Sequence, residues 1–147
     1  MTPLFTPVDA IAELSGGSML PFLKGTAEFR QMREGVLVTI FLSGLPSSST
    51  GFFALHIHEG TSCSGDGFPA TGGHYNPAGL AHPLHAGDLP PLLFNSGMAY
   101  LSVMTNRFSV NDVLGRTVVI HSGPDDLHTQ PSGNAGTKIA CGTIRKI

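Results

Sequence analysis

Apolar and polar positions alternate from residue 35 to 43, where Val36, Val38, Ile40 and Leu42 share one face. That period of two predicts a pleated strand, not a helix. Residues 24–32 behave alike, with Ala27 and Phe29 on one side and Thr26, Glu28 and Arg30 on the other. Residues 51–59, 97–105, 116–121 and 138–144 read as further strands, and 9–14 and 92–94 as two weaker ones. No amphipathic pattern is long enough for a substantial helix; residues 110–114 fit a single turn. Two segments, 60–90 and 122–137, resist strand assignment. Loops this long inside a compact domain are functional or disordered, and the first carries a cysteine and a histidine cluster, which favours function. About eight short strands with glycine and proline punctuation predict an all-β sandwich or barrel.

Composition narrows the class. The 147 residues, with Gly 19 and Pro 11, suit one domain over residues 1–147 built of strands and turns. Apolar residues at 41% and charged residues at 12% exclude a disordered acidic or basic tail. A formal net charge of −2 and scattered Lys and Arg argue against a general nucleic-acid binder. No apolar run approaches the ~20 residues of a membrane helix, so no membrane partner is expected. No basic segment followed by a long apolar stretch opens the chain. The chain is therefore expected to be cytoplasmic if Met1 is the native start, and exported with its signal peptide removed otherwise. The assembly is left open, a homodimer included. Cys63 and Cys141 allow two readings, buried free thiols or one disulfide tying the central loop to the last strand, and spacing does not choose between them.

The histidines carry the candidate chemistry. Alternation over 51–59 sends Phe53, Leu55 and Ile57 to the core and puts His56 and His58 together on the other face, where the long loops could cover them. Two imidazoles at i and i+2 on a strand can chelate one metal from one side. The loop adds His74, then His82, His85 and Asp88 in a His-x-x-His-x-x-Asp run. His121 closes another strand, grouped with Thr117 and Val119 and away from Val118 and Ile120. Imidazole suits copper and zinc, and a carboxylate is an acceptable zinc ligand. Each histidine alone could be a solvated surface residue, and His128 fits that reading. The rest gather on the long loop or on strands that lead into the two loops, which favours a metal site.

His56-Ile57-His58-Glu59-Gly60, Gly73-His74-Tyr75-Asn76-Pro77 and His85-Ala86-Gly87-Asp88-Leu89-Pro90 resemble the copper/zinc superoxide dismutases, the bacterial branch most of all. So do Gly115-Arg116-Thr117-Val118-Val119-Ile120-His121, Gly133-Asn134-Ala135-Gly136 and Ala140-Cys141-Gly142. Order and approximate spacing match over nearly the whole chain, from about residue 9 to residue 144. The resemblance implies an eight-stranded antiparallel Greek-key barrel or flattened sandwich of immunoglobulin-like type, with two long metal-site loops. It implies copper on His56, His58, His74 and His121, and zinc on His74, His82, His85 and Asp88, with His74 shared and acting in proton delivery. It also implies a Cys63–Cys141 disulfide, and a carboxylate at Asp125 that links a copper histidine to a zinc histidine. The implied reaction is dismutation of superoxide anion to oxygen and hydrogen peroxide.

The chain departs from the family pattern in three places. Lys138 stands three residues before Cys141, where relatives carry an arginine beside copper; it keeps the charge and loses the planar fork. His82 and His85 are close together, which predicts strained zinc geometry or a displaced His82. The loop after His121 is short and holds Asp125 and Asp126 but no lysine before Lys138, so the electrostatic funnel is expected to be thin. These departures support a second reading, a catalytically weak copper/zinc-binding relative acting in metal buffering or delivery. Retention of every candidate copper ligand favours the enzyme.

Overall fold

The computed structural model describes residues 6–147. Its strands are β1 Ala10–Gly16, β2 Lys24–Gln31, β3 Val36–Ser43, β4 Phe52–His58, β5 Asp88–Leu93, β6 Ala99–Thr105, β7 Thr117–His121, β8 Lys138–Thr143 and the short β9 Arg145–Lys146. One helical turn, α1, spans Val110–Val113, and its N-cap Ser109 and Asp112 form a capping box.

Every pairing is antiparallel, in the order β5-β4-β7-β8-β1-β2-β3-β6, with β9 added beside β1. The β3–β6 and β4–β7 neighbours are Greek-key crossovers. The sheet curls until its ends, β5 and β6, lie against each other, giving a nearly closed eight-stranded barrel. The seam stays unladdered on the β5 side, where Pro90 and Pro91 have no N–H to donate. These prolines also explain why only residues 92–94 read as a strand in the sequence. Asp88 and Leu89, expected to lie in the loop, pair with His56 and Leu55.

The alternation read from the sequence fills the barrel. Val36, Val38, Ile40 and Leu42 are buried together with Phe29, Phe53, Leu55 and Ile57. Removing one such side chain from water contributes roughly 1.5–3 kcal/mol. The opposite face of β4, made of Ala54, His56 and His58, is buried as well, because the long loops fold over it. Val118 and Ile120 enter the main core, while Val119 packs outside it against Phe68 and Cys141.

Candidate metal centre

β4 and β7 are adjacent, with His56 opposite Val119 and His58 opposite Thr117, so the histidine face of β4 lies beside His121 at the end of β7. The segment after β4 then runs back along this face. The Tyr75 N–H donates to Ile57 O at 2.8 Å, the Gly87 N–H to Tyr75 O at 2.9 Å, and the Ile57 N–H to Gly87 O at 2.8 Å. The approach needs glycine, since a Cβ on Gly87 would fall 2.2 Å from Ile57 O. This path places His74 beside His58. A Cys63–Cys141 disulfide ties the loop to β8.

Donor nitrogens of His56, His58, His74 and His121 gather within 4.8 Å of one another. Their outer ring nitrogens are already committed. The His58 Nδ1–H donates to Gly72 O at 2.9 Å and the His121 Nδ1–H to Gly136 O at 3.4 Å. The His56 Nε2–H donates to Asp125 Oδ2 at 2.8 Å. In a neutral imidazole the remaining nitrogen is a lone pair. Burial lowers His58 to about 2 and His121 to about 3, so both rings are neutral at pH 7. Burial lowers His56 as well, against the opposing pull of Asp125. The lone pairs of His58 Nε2 and His121 Nε2 thus face each other at 3.2 Å, and His56 Nδ1 and His74 Nε2 are buried without any partner. Lone pairs so arranged repel unless a cation lies among them.

A second gathering adjoins the first. Asp88 Oδ1 lies 2.8 Å from His74 Nδ1, and Asp88 Oδ2 lies 3.0 Å from His82 Nδ1 and 3.2 Å from His85 Nδ1. His74 Nδ1 and His85 Nδ1 are 3.1 Å apart. The His82 Nε2–H donates to Asp125 Oδ1 at 2.8 Å, which leaves His82 Nδ1 a buried lone pair facing a carboxylate oxygen, with no directed hydrogen bond. Spacings of this size suit the edges of a four-coordinate ion with bonds of about 2.0–2.1 Å. His56 also falls within 4.8 Å of His74, His82 and Asp88. Its Nε2 is engaged by Asp125, however, and its Nδ1 is the orphan of the first gathering, so His85 completes the second set better. Burial opposes ionisation of Asp88 and Asp125, but it is outweighed at Asp88 by the His74 hydrogen bond and the charge of neighbouring histidines, and at Asp125 by hydrogen bonds from His56, His82 and the Leu127 N–H, so both carboxyls lie below their usual range.

The family model for copper/zinc superoxide dismutase (SODC) matches residues 23–144. The chain is 38% identical over 136 residues to a protein of Aquifex aeolicus named superoxide dismutase [Cu-Zn] 2, covering 82% of this chain and 78% of that one. It is 37% identical over 145 residues to a superoxide dismutase [Cu-Zn] of Deinococcus radiodurans, covering 84% and 78%. A crystal structure of a SOD-like protein from Bacillus subtilis superposes with a TM-score of 0.77 at 28% identity, covering 90% of this chain and 96% of that one. The chain belongs to the copper/zinc superoxide dismutase family.

Copper and zinc are the cofactors that membership brings, and the donors fit them: an all-imidazole set for copper beside a set with one carboxylate for zinc. The close spacing of His82 and His85 does not displace His82. The Gln130 side chain holds its backbone at both ends, accepting from the His82 N–H at 2.9 Å and donating to His82 O at 2.7 Å. Arg107 donates to Pro83 O at 2.7 Å and His85 O at 3.2 Å, fixing the next turn. Gln130, Arg107 and the carbonyls of Gly72 and Gly136 were not legible in the sequence, because their roles depend on the path of the loops.

Lys138 starts β8 and lines a cleft of about 390 Å³ with His58, His74 and His121. Its Nζ donates to Thr71 Oγ1 at 2.7 Å and to Gly72 O at 3.0 Å, and partial burial lowers its pKa. His128 stands apart, exposed and bonded to Asp126 O.

Proposed function

We propose that this superoxide dismutase family member converts superoxide to oxygen and hydrogen peroxide at a copper held by His56, His58, His74 and His121. Zinc would be held by His74, His82, His85 and Asp88, and His74 would then contribute a donor nitrogen to each of the two sets. The observation that supports this reading is that His74 belongs to both donor gatherings, with its Nε2 buried and unpartnered and its Nδ1 2.8 Å from Asp88 Oδ1 and 3.1 Å from His85 Nδ1.

Bound copper supplies one-electron redox cycling, which zinc, with its filled d shell, does not. The chain's residues do the rest. Two superoxide anions and two protons give one oxygen and one hydrogen peroxide. The Lys138 ammonium draws the anion into the cleft and offsets its charge. The His74 Nε2 takes up a proton when its lone pair is free and releases it toward the forming peroxide. Asp125 accepts from His56 Nε2 and His82 Nε2 together, fixing one ring of each metal set in a single orientation. Burial disfavours protonation of His56, His58 and His121 and leaves their rings available to metal.

The test is superoxide consumption by the copper- and zinc-loaded protein, compared with a His121→Ala variant at matched zinc content. The reading predicts rapid consumption that the variant loses. Slow consumption, equal in both proteins, would overturn it.

A further inference from the structure

Lysine is a loose replacement for arginine at the mouth of a catalytic cleft. Its ammonium ends a flexible four-carbon stem, whereas a guanidinium presents a planar, preorganised fork. An ammonium that wandered would attract superoxide without delivering it to one place. In this structure the Lys138 ammonium is held.

Thr71 is fully buried and closes a 3-10 turn over Pro69–Thr71. Its hydroxyl has one proton, which goes to Phe68 O at 2.7 Å. Toward Lys138, 2.7 Å away, the same oxygen therefore accepts, and an ammonium can only donate. The geometry thus leaves one arrangement of protons. The next residue adds the second tether. Gly72 O accepts from Lys138 Nζ at 3.0 Å and from His58 Nδ1 at 2.9 Å, so one carbonyl binds both Lys138 and His58. Two of the three ammonium protons are taken, and the third remains for the cleft. The turn is itself fixed, because Phe68 packs with Val119, Cys141 and Cys63 at the disulfide.

We propose that Thr71 is a positioning residue for substrate capture: its hydroxyl pins the Lys138 ammonium beside the copper ligands and so restores the fixed geometry that lysine lacks. This rests on the reading of Lys138 as the residue that receives the anion.

The experiment measures azide affinity, by visible absorption titration of the copper- and zinc-loaded protein, and the second-order rate with superoxide as a function of ionic strength. Thr71→Val keeps the shape of the side chain and removes the hydroxyl. Azide affinity and rate should both fall by about 3- to 10-fold, less than the full worth of a charge-assisted hydrogen bond because Gly72 O still holds the ammonium. Metal content and the slope against ionic strength should hold, since the charge at 138 remains. Thr71→Ser should restore both to within about twofold. A structural role alone would move thermal stability or metal content and leave azide affinity intact. If Thr71→Val does not fold, Thr71→Ala carries the same comparison. Lys138→Ala is the control for the underlying reading: it should lower azide affinity and flatten the ionic-strength slope. If Lys138→Ala lowers both and the Thr71 variants match the wild type, the Thr71 inference is overturned alone. If Lys138→Ala also matches the wild type, both fall. A Thr71→Ser variant as weak as Thr71→Val would refute the part assigned to the hydroxyl.

Discussion

Asp125 links the two donor sets. One carboxylate orients His56 and His82, and its own position requires space that only glycine leaves. Gly133 has a φ of +71°, and a Cβ there would lie 1.9 Å from Asp125 Oδ1 and 2.7 Å from His82 Nε2. Asp125→Ala should therefore weaken zinc binding about 10- to 100-fold, read by chelator competition, and Gly133→Ala should reproduce much of that loss by pushing the carboxylate aside. Zinc affinity unchanged in both variants would contradict this account. The buried imidazoles make a further prediction about pH. His58 and His121, lowered in the fold to about 2 and about 3, titrate near 6.5 when unfolded. The unfolded chain thus binds protons that the fold refuses. Stability of the metal-free protein is complete above pH 6.5 and is lost as pH falls from there toward 3, by up to about 1.4 kcal/mol per pH unit for each ring. Asp88 and Asp125, also lowered, add loss in the same direction on further acidification. Calorimetry of the metal-free protein should show the melting temperature falling from pH 7 to pH 4.5, and a flat profile would refute the burial of neutral rings.

At the scale of elements, the strands were legible and the loops were only partly so. Alternation in β3 and β4 fixed which side chains enter the core and which face carries His56 and His58, because a strand has only two faces. β5 is only partly legible, since Pro90 and Pro91 hide a strand that pairs on one edge alone. The donor run His82, His85 and Asp88 could be seen as a pattern, but what holds it could not. Gln130 reaches it from the loop after β7, and Thr71 reaches Lys138 across 67 positions of sequence. Contacts of that kind follow from the course of irregular backbone, which carries no period to read. The Cys63–Cys141 bridge anchors that course and spans 78 positions. Replacing both cysteines with serine should cost about 2–5 kcal/mol of stability, read from the denaturant midpoint, and should loosen the turn that holds Lys138. An unshifted midpoint would show that packing of Phe68 and Val119 suffices by itself.

For the whole molecule, the barrel supplies a rigid wall, and the two loops turn its β4–β7 surface into a pair of adjoining ligand sets. Function here sits outside the core, so changes inside and outside should separate. Asp88→Ala should lower zinc content and melting temperature while copper binding stays measurable, because His56, His58 and His121 make no hydrogen bond to that carboxylate; zinc content and melting temperature both unchanged would exclude Asp88 as a ligand. The central claim is that one imidazole, His74, joins the two sets. Anomalous scattering from crystals of the copper- and zinc-loaded protein, collected at the two absorption edges, tests it most directly. The account predicts a copper peak among His56, His58, His74 and His121, and a separate zinc peak among His74, His82, His85 and Asp88, with the His74 ring between them. A single peak, or a His74 ring bound to one metal alone in the oxidised protein, would contradict it.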